Sequence, residues 1–367
     1  MQDGTANEEK MRATTKAGSS AFGGSAMTLR AITRAEAGHV LNRGEAEAAM
    51  EELLSGRVET AEIVRLLRAM NRRPVEKHEL AGFAQVMRRH ATPVFAAGEQ
   101  KPERMVDTCG TGGDGSGTFN ISTAAAIVAA AAGARVAKHG NRAASSRSGS
   151  ADVLEALGVR IDLPFARFGR AVREIGIGFF FAQAAHTAAR HAAPARKEIG
   201  ERTVFNLLGP LTNPAGAQAQ VVGVFSADVM ELVAETLAEL GVERAFVVHG
   251  AGGLDEISVV GQTRVAEVFD GTIREFQVAP EEFGVARSPL ESIRGGSAEE
   301  NARMIHGIFD GEVGPKRDVV VINAAAALAA AGVAGDFRGG ATLAARAIDS
   351  GAAAKKLEDL IAFTQAT

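Results

Sequence analysis

Between residues 28 and 97 the apolar positions fall three and four residues apart, the spacing that gathers them on one face of a helix. Segments 44–54, 58–70 and 74–89 carry this period, and Pro74 is placed to open the last of them as a first-turn proline. From Lys101 the pattern changes. Short apolar runs now alternate with helical ones, the order of an α/β domain. Stretches 135–138 and 245–249 read as strands, 151–157 as a helix stopped by Gly158, and 257–260 as a short strand. Residues 1–27 are polar and rich in small side chains, lack the apolar core of a signal peptide, and read as a disordered tail. The pattern thus predicts a small all-helical domain over 28–97 and a larger α/β domain over 98–367.

One stretch interrupts the periodicity. Asp107 to Thr123 reads Asp-Thr-Cys-Gly-Thr-Gly-Gly-Asp-Gly-Ser-Gly-Thr-Phe-Asn-Ile-Ser-Thr, between the apolar Met105-Val106 and an alanine-rich run. Glycine gives up more backbone entropy on folding than any other residue, so Gly110, Gly112, Gly113, Gly115 and Gly117 are not there for stability. They offer bare N–H groups that can curl around an anion. Ser122-Thr123 are natural N-cap residues, so the next helix points its positive end at the same spot. This is a phosphate or diphosphate cradle. The Gly-Lys-Ser/Thr of a Walker loop is absent, and no carboxylate before Asp152 could hold a ribose as the dinucleotide fingerprint requires.

A second loop follows the strand at 135–138, running through Lys138-His139-Gly140-Asn141-Arg142 to a Ser-rich stretch and a new helix. An ordinary βα turn is also rich in Gly and Ser, but two anion loops in succession suit a ligand with two separated phosphates. Further on, Asp255-Glu256 sit on a loop tip. An isolated pair is usually a solvated turn; beside a diphosphate cradle it points to magnesium, which prefers oxygen ligands and substrate phosphates. Between these lies Arg196, in a segment ending at Gly209-Pro210 and Asn213-Pro214, where a guanidinium could grip a planar carboxylate. His186 and His191 are five apart and do not form a zinc pattern.

Five stretches together resemble the anthranilate phosphoribosyltransferase family. They are Gly-Thr-Gly-Gly-Asp-Gly-Ser-Gly-Thr-Phe-Asn-Ile-Ser-Thr (110–123), Lys-His-Gly-Asn-Arg-Ala (138–143) and Ser-Gly-Ser-Ala-Asp-Val-Leu-Glu-Ala-Leu-Gly (148–158), with Arg-Lys-x-x-Gly-x-Arg-Thr-x-Phe-Asn-x-Leu-Gly-Pro-Leu-x-Asn-Pro (196–214) and Gly-Leu-Asp-Glu (253–256). They occur in family order, and the likeness runs from about residue 28 to the C-terminus. It implies a central mixed sheet, an active site in the interdomain cleft, helices near 190–210 returning to the small domain, and a homodimer joined through small domains. Phosphoribosyl diphosphate would meet Gly110, Gly113, Asp114, Thr118, Asn120, Ile121, Ser122, Thr123, Lys138, His139, Gly140, Asn141, Arg142, Ala143, Ala144, Ser145, Ser146 and Ser150. Mg2+ would involve Ser122, Asp255 and Glu256; anthranilate would meet Gly110, Asn141 and Arg196, with His139 and His186 lining the approach. No residue is assigned as acid or base. The chain departs from the family at Thr187, where proline is frequent, and at Glu62 and Arg65 on a usually uncharged helix face.

Composition narrows the alternatives. A net charge of −4 lends no support to nucleic-acid or membrane partners, and no apolar run approaches a membrane span. The single Cys109 forms no intramolecular disulfide and suits a reducing cytoplasm. Two rivals share the architecture. The 196–214 segment and Asp255-Glu256 favour the transferase over a pyrimidine nucleoside phosphorylase; a non-catalytic nucleic-acid-binding relative would show a basic surface and lose the Lys-His-Gly-Asn or Asp-Glu residues.

Overall fold

The computed structural model describes residues 26–96, 98–143 and 147–366. The expected tail lies outside them except for Ala26 and Met27, which already belong to the first helix. That helix, α1 (Ala26–Glu36), is followed by α2 (Arg43–Leu54), α3 (Thr60–Asn71) and α4 (Lys77–Arg89). The last three start alike. A glutamate in the first turn (Glu45, Glu62 or Glu79) accepts a hydrogen bond from the N–H of the residue three positions earlier. This moves the start of α4 past Pro74: Glu79 accepts from Glu76 N–H, so Pro74 stands outside the helix rather than in its first turn. Of the two unusual charges on α3, Glu62 is therefore a cap, and Arg65 pairs with Glu36 at 2.8 Å.

Beyond Lys101 come β1 (Met105–Asp107), α5 (Ile121–Ala131), β2 (Arg135–Gly140), α6 (Ser150–Ala156), α7 (Phe165–Glu174), β3 (Ile177–Phe181), α8 (Ala182–Ala185), α9 (Ala193–Ile199), α10 (Phe205–Leu211) and β4 (Ala219–Gly223). Then follow α11 (Met230–Glu239), β5 (Arg244–Gly250), β6 (Thr263–Phe269), β7 (Thr272–Val278), α12 (Ala298–Phe309), α13 (Pro315–Ala330), α14 (Phe337–Asp349) and α15 (Ala352–Gln365). The seven strands form one mixed sheet in the order β3-β2-β1-β4-β5-β6-β7. Strands β1 to β5 pair in parallel, and β6 and β7 add an antiparallel edge.

Alternate side chains of the central strands serve two cores, as the period of two demands. Val221, Phe246 and Val248 pack with the alanine-rich α5 and α13, whereas Val222 and Val247 face α11 and, beyond it, α1–α4. Residues Ala192, Ala195 and Phe205 to Leu211 join this second core, so α9 and α10 lie with the N-terminal helices. The strand order reverses between β1 and β4, and ligands of open parallel sheets bind at such a point, beyond the carboxyl ends of the strands.

The expected strand at 257–260 is a buried loop instead. Side chains take the place of a ladder: Asn323 on α13 accepts from Ile257 N–H and donates to its carbonyl, both at 2.9 Å, and Thr263 Oγ1 accepts from Ser258 N–H. No helix among the described residues is long and apolar enough to cross a membrane.

Candidate active site

The glycine loop leaves β1 and runs along the end of β4. Thr111 N–H donates to Gly223 O at 2.8 Å, and Gly112, Gly113, Gly115 and Gly117 all take left-handed φ values that other residues rarely adopt. Opposite the loop stand Asp255 and Glu256. Their approach is set by Gly223, where a Cβ would fall 1.5 Å from Asp255 O. Glu256 Oε1 accepts from Ser122 N–H at the start of α5, and Asp114 Oδ2 accepts from Asp255 N–H. The helix cap is thus not the one expected. Asn120 is the N-cap residue and Ser122 and Thr123 fall in the first turn, because the Asn120 side chain is engaged by Ser148 and Asn301. Asn120 thereby ties the glycine loop to the second loop, just ahead of Ser150.

Asp114, Asp255 and Glu256 form no ion pair with Lys or Arg among the described residues. Burial, then the charge of Asp114, pushes the Asp255 carboxyl far above the ordinary carboxylate range; burial, then Asp255, does the same to Glu256. A tight cavity lined by Gly110, Ser122, Asp255 and Glu256 lies between them. Hard oxygen donors that repel one another beside a small cavity fit a divalent cation such as magnesium. A second group gathers Asp107, Cys109 and His139, with donor atoms within 4.8 Å of one another. It is a hydrogen-bonded knot. Asp107 Oδ1 and Oδ2 accept from His139 N–H at 3.0 Å and from Asn213 Nδ2 at 2.8 Å. Both Asp107 oxygens are thus engaged, and burial holds the Cys109 thiol protonated, so it is no nucleophilic thiolate.

Across the cleft, the buried His139 and His186 rings meet edge to face with centroids 5.3 Å apart. His139 Nδ1 lies 3.1 Å from Gly209 O, which makes that nitrogen the N–H and leaves Nε2 a bare acceptor. Neither Nε2 has a partner among the described residues. Burial, then the neighbouring His186, lowers the His139 pKa to about 3, and burial lowers that of His186 to about 4, so both rings are neutral at pH 7. Arg196 lies over the Phe205 ring at 5.3 Å, with no carboxylate partner among the described residues.

Other expected site residues are placed differently. The Lys138 ammonium is buried and donates to Thr108 O and Oγ1 at 3.3 and 3.1 Å, with its charge acting on Asp107 and Glu256. Arg142 pairs with Asp152 and Glu155 at 2.9 and 2.5 Å, turned toward α6. Ser150 Oγ accepts from Asn141 N–H, and an added Cβ at Gly140 would collide with that hydroxyl. Gly110, Gly113, Thr118, Asn141 and Ala143 lie along the two loops, Ile121 and Thr123 in the first turn of α5, while Ala144, Ser145 and Ser146 fall outside the described residues. Sequence reasoning gave no role to Asp107, Asn213 or Arg202. For Asp107 the signal was a carboxylate at the end of an apolar strand, directly ahead of the glycines.

Comparisons with known proteins accord with this layout. The helical bundle domain of the glycosyl transferase family matches residues 29–91, and its a/b domain matches residues 102–354. An anthranilate phosphoribosyltransferase of Symbiobacterium thermophilum is 50% identical over 337 residues, covering 92% of this chain and 98% of that one. The chain belongs to the anthranilate phosphoribosyltransferase family. Members of this family are pentosyltransferases, and this chain is such an enzyme. The crystal structure of the Thermus thermophilus family member is 47% identical, with a TM-score of 0.86 over 92% of this chain and 99% of that one. A Saccharomyces cerevisiae member, solved in complex with PRPP and Mg, shares 27% identity and a TM-score of 0.84 over 93% and 98% of the two chains.

Proposed function

We propose that this chain transfers the 5-phosphoribosyl group of phosphoribosyl diphosphate to the amino group of anthranilate, giving N-(5-phosphoribosyl)anthranilate and diphosphate. The observation that carries the reading is the pairing across one cleft of an open glycine loop facing unpaired carboxylates with a free arginine and two neutral histidines.

The glycine loop and the N-terminal end of α5 receive the phosphates of phosphoribosyl diphosphate, with Asn120 just ahead of α5 and Ser150 at the start of α6 joining them. Asp255, Glu256 and Ser122 hold Mg2+, with Asp114 beside them. Magnesium bound there supplies positive charge beside the departing diphosphate. Arg196 takes the anthranilate carboxylate, and Gly110, Asn141, His139 and His186 line the approach. An aromatic amine is already neutral at pH 7, so no strong base is needed to free it. Positioning and stabilisation of the leaving group carry the catalysis, and no covalent enzyme intermediate forms.

The enzyme works as a homodimer joined through its helical domains, where Leu29 and Val40 are exposed apolar side chains, and in the cytoplasm. Product identification tests the reading. Mass and NMR analysis should find anthranilate ribosylated on nitrogen. Phosphorolysis of uridine or thymidine with no ribosylated anthranilate would assign the chain to the phosphorylase reaction instead.

A further inference from the structure

Besides the contact of Asp114 with Asp255 N–H, two further points hold the glycine loop. At the first, Thr111 donates from its N–H to Gly223 O, and its Oγ1 accepts from Phe225 N–H at 3.1 Å. At the second, Arg202 reaches across from the turn after α9. Its Nη2 donates to Gly113 O at 2.5 Å, while its guanidinium lies 4.1 Å from the centre of the Phe225 ring. Among the described residues no other main-chain oxygen from Gly112 to Ser116 accepts a hydrogen bond, so Arg202 holds the middle of the loop from the helical side as Asp114 holds it to Asp255.

Arg202 is itself anchored on the helical side. Gly200 ends α9 at a φ of +68°, and Asn71 at the end of α3 donates from its side chain to Arg202 O at 2.8 Å. Arg202 has no carboxylate partner among the described residues. Its planar cation uses its edge on a carbonyl and its face on an aromatic ring at once, which an ammonium cannot do. The same short segment carries Arg196, six positions earlier and packed over the Phe205 ring.

We propose that Arg202 is a positioning residue that holds the diphosphate loop through Gly113 and Phe225, and so links that loop to the segment bearing the anthranilate-facing arginine. The proposal rests on the substrate assignment above.

Three variants test it: Arg202→Ala, Arg202→Lys and Phe225→Leu. Arg202→Ala and Phe225→Leu should each raise KM for phosphoribosyl diphosphate about tenfold, the size expected for a charge-assisted hydrogen bond at an exposed site. KM for anthranilate, read at saturating phosphoribosyl diphosphate, should stay within about twofold of wild type. Arg202→Lys should rescue only part of the loss, because it keeps the charge and loses the stack. Hydrogen exchange without any substrate supplies a readout that does not depend on the reaction: the bonded amides of Thr111 and Phe225 should exchange faster in both Arg202→Ala and Phe225→Leu. Full rescue by lysine with a silent Phe225→Leu would overturn the proposal in favour of direct contact with phosphate. Equal rises in both KM values, or unchanged amide exchange, would also overturn it. A wild-type enzyme inert toward anthranilate, with the exchange pattern as expected, would instead sink the substrate assignment and leave the loop contact standing.

Discussion

Ser122 N–H donates to the Glu256 carboxylate at 3.1 Å, although 134 positions separate the two residues. The bond brings the first turn of α5, beside the glycine loop, against the acidic loop after β5. It explains how a buried carboxylate is placed where both a cation and a diphosphate can meet it.

Asp255 and Glu256 are costly while no cation balances them. Their folded-state pKa values lie above those of an unfolded chain, so the folded protein holds protons that unfolding releases. Stability of the metal-free protein should therefore fall as pH rises from the ordinary carboxylate range past neutrality, and Mg2+ should offset that fall. Asp255→Asn with Glu256→Gln should flatten the slope and leave the metal-free thermal midpoint at pH 8 unchanged or higher. The same variant should lose at least about a hundredfold in magnesium-dependent turnover. Calorimetry across pH, with and without Mg2+, checks the first part; retained turnover with wild-type magnesium dependence would show the pair to be an ordinary acidic turn.

His186 acts in the opposite direction. Its folded pKa of about 4 lies below the ordinary 6.5, so the stability it contributes is complete above pH 6.5 and is lost as pH falls toward 4. The difference amounts to roughly 3 kcal/mol over that range. Urea titrations of wild type and His186→Asn between these limits should show a steeper acid loss in the wild type; parallel curves would mean that the ring protonates freely.

Arg196 lies over the Phe205 ring without a carboxylate partner among the described residues. Arg196→Ala should raise KM for anthranilate about tenfold, the loss being moderated by solvent, while KM for phosphoribosyl diphosphate stays nearly constant. Steady-state titration of each substrate decides the matter. Equal effects on both constants would assign Arg196 to the shape of the cleft.

The loops that carry chemistry were legible in the chain because each announces itself locally. Glycines at 110–117 state a backbone conformation, and Asp255-Glu256 state a charge that needs a partner. What the sequence hid depends on contacts between distant segments. The stretch 257–260 has the composition of a strand, but Asn323, 66 positions from Ile257, satisfies its backbone and keeps it out of the sheet. Ser122 and Thr123 have the chemistry of helix caps, yet Asn120 holds that position through Ser148 and Asn301. Lys138 reads as a phosphate ligand in its motif, and its burial against Thr108 is a contact the sequence does not announce. Arg142 likewise finds Asp152 and Glu155 nearer than the cleft.

Anthranilate fluorescence tests the central claim most directly, because the chain contains neither Trp nor Tyr to obscure it. With enzyme, phosphoribosyl diphosphate and Mg2+ together, the signal should fall as the amine is ribosylated, and it should hold steady when any one of the three is left out. A steady signal with all three present, at micromolar enzyme, would contradict the account.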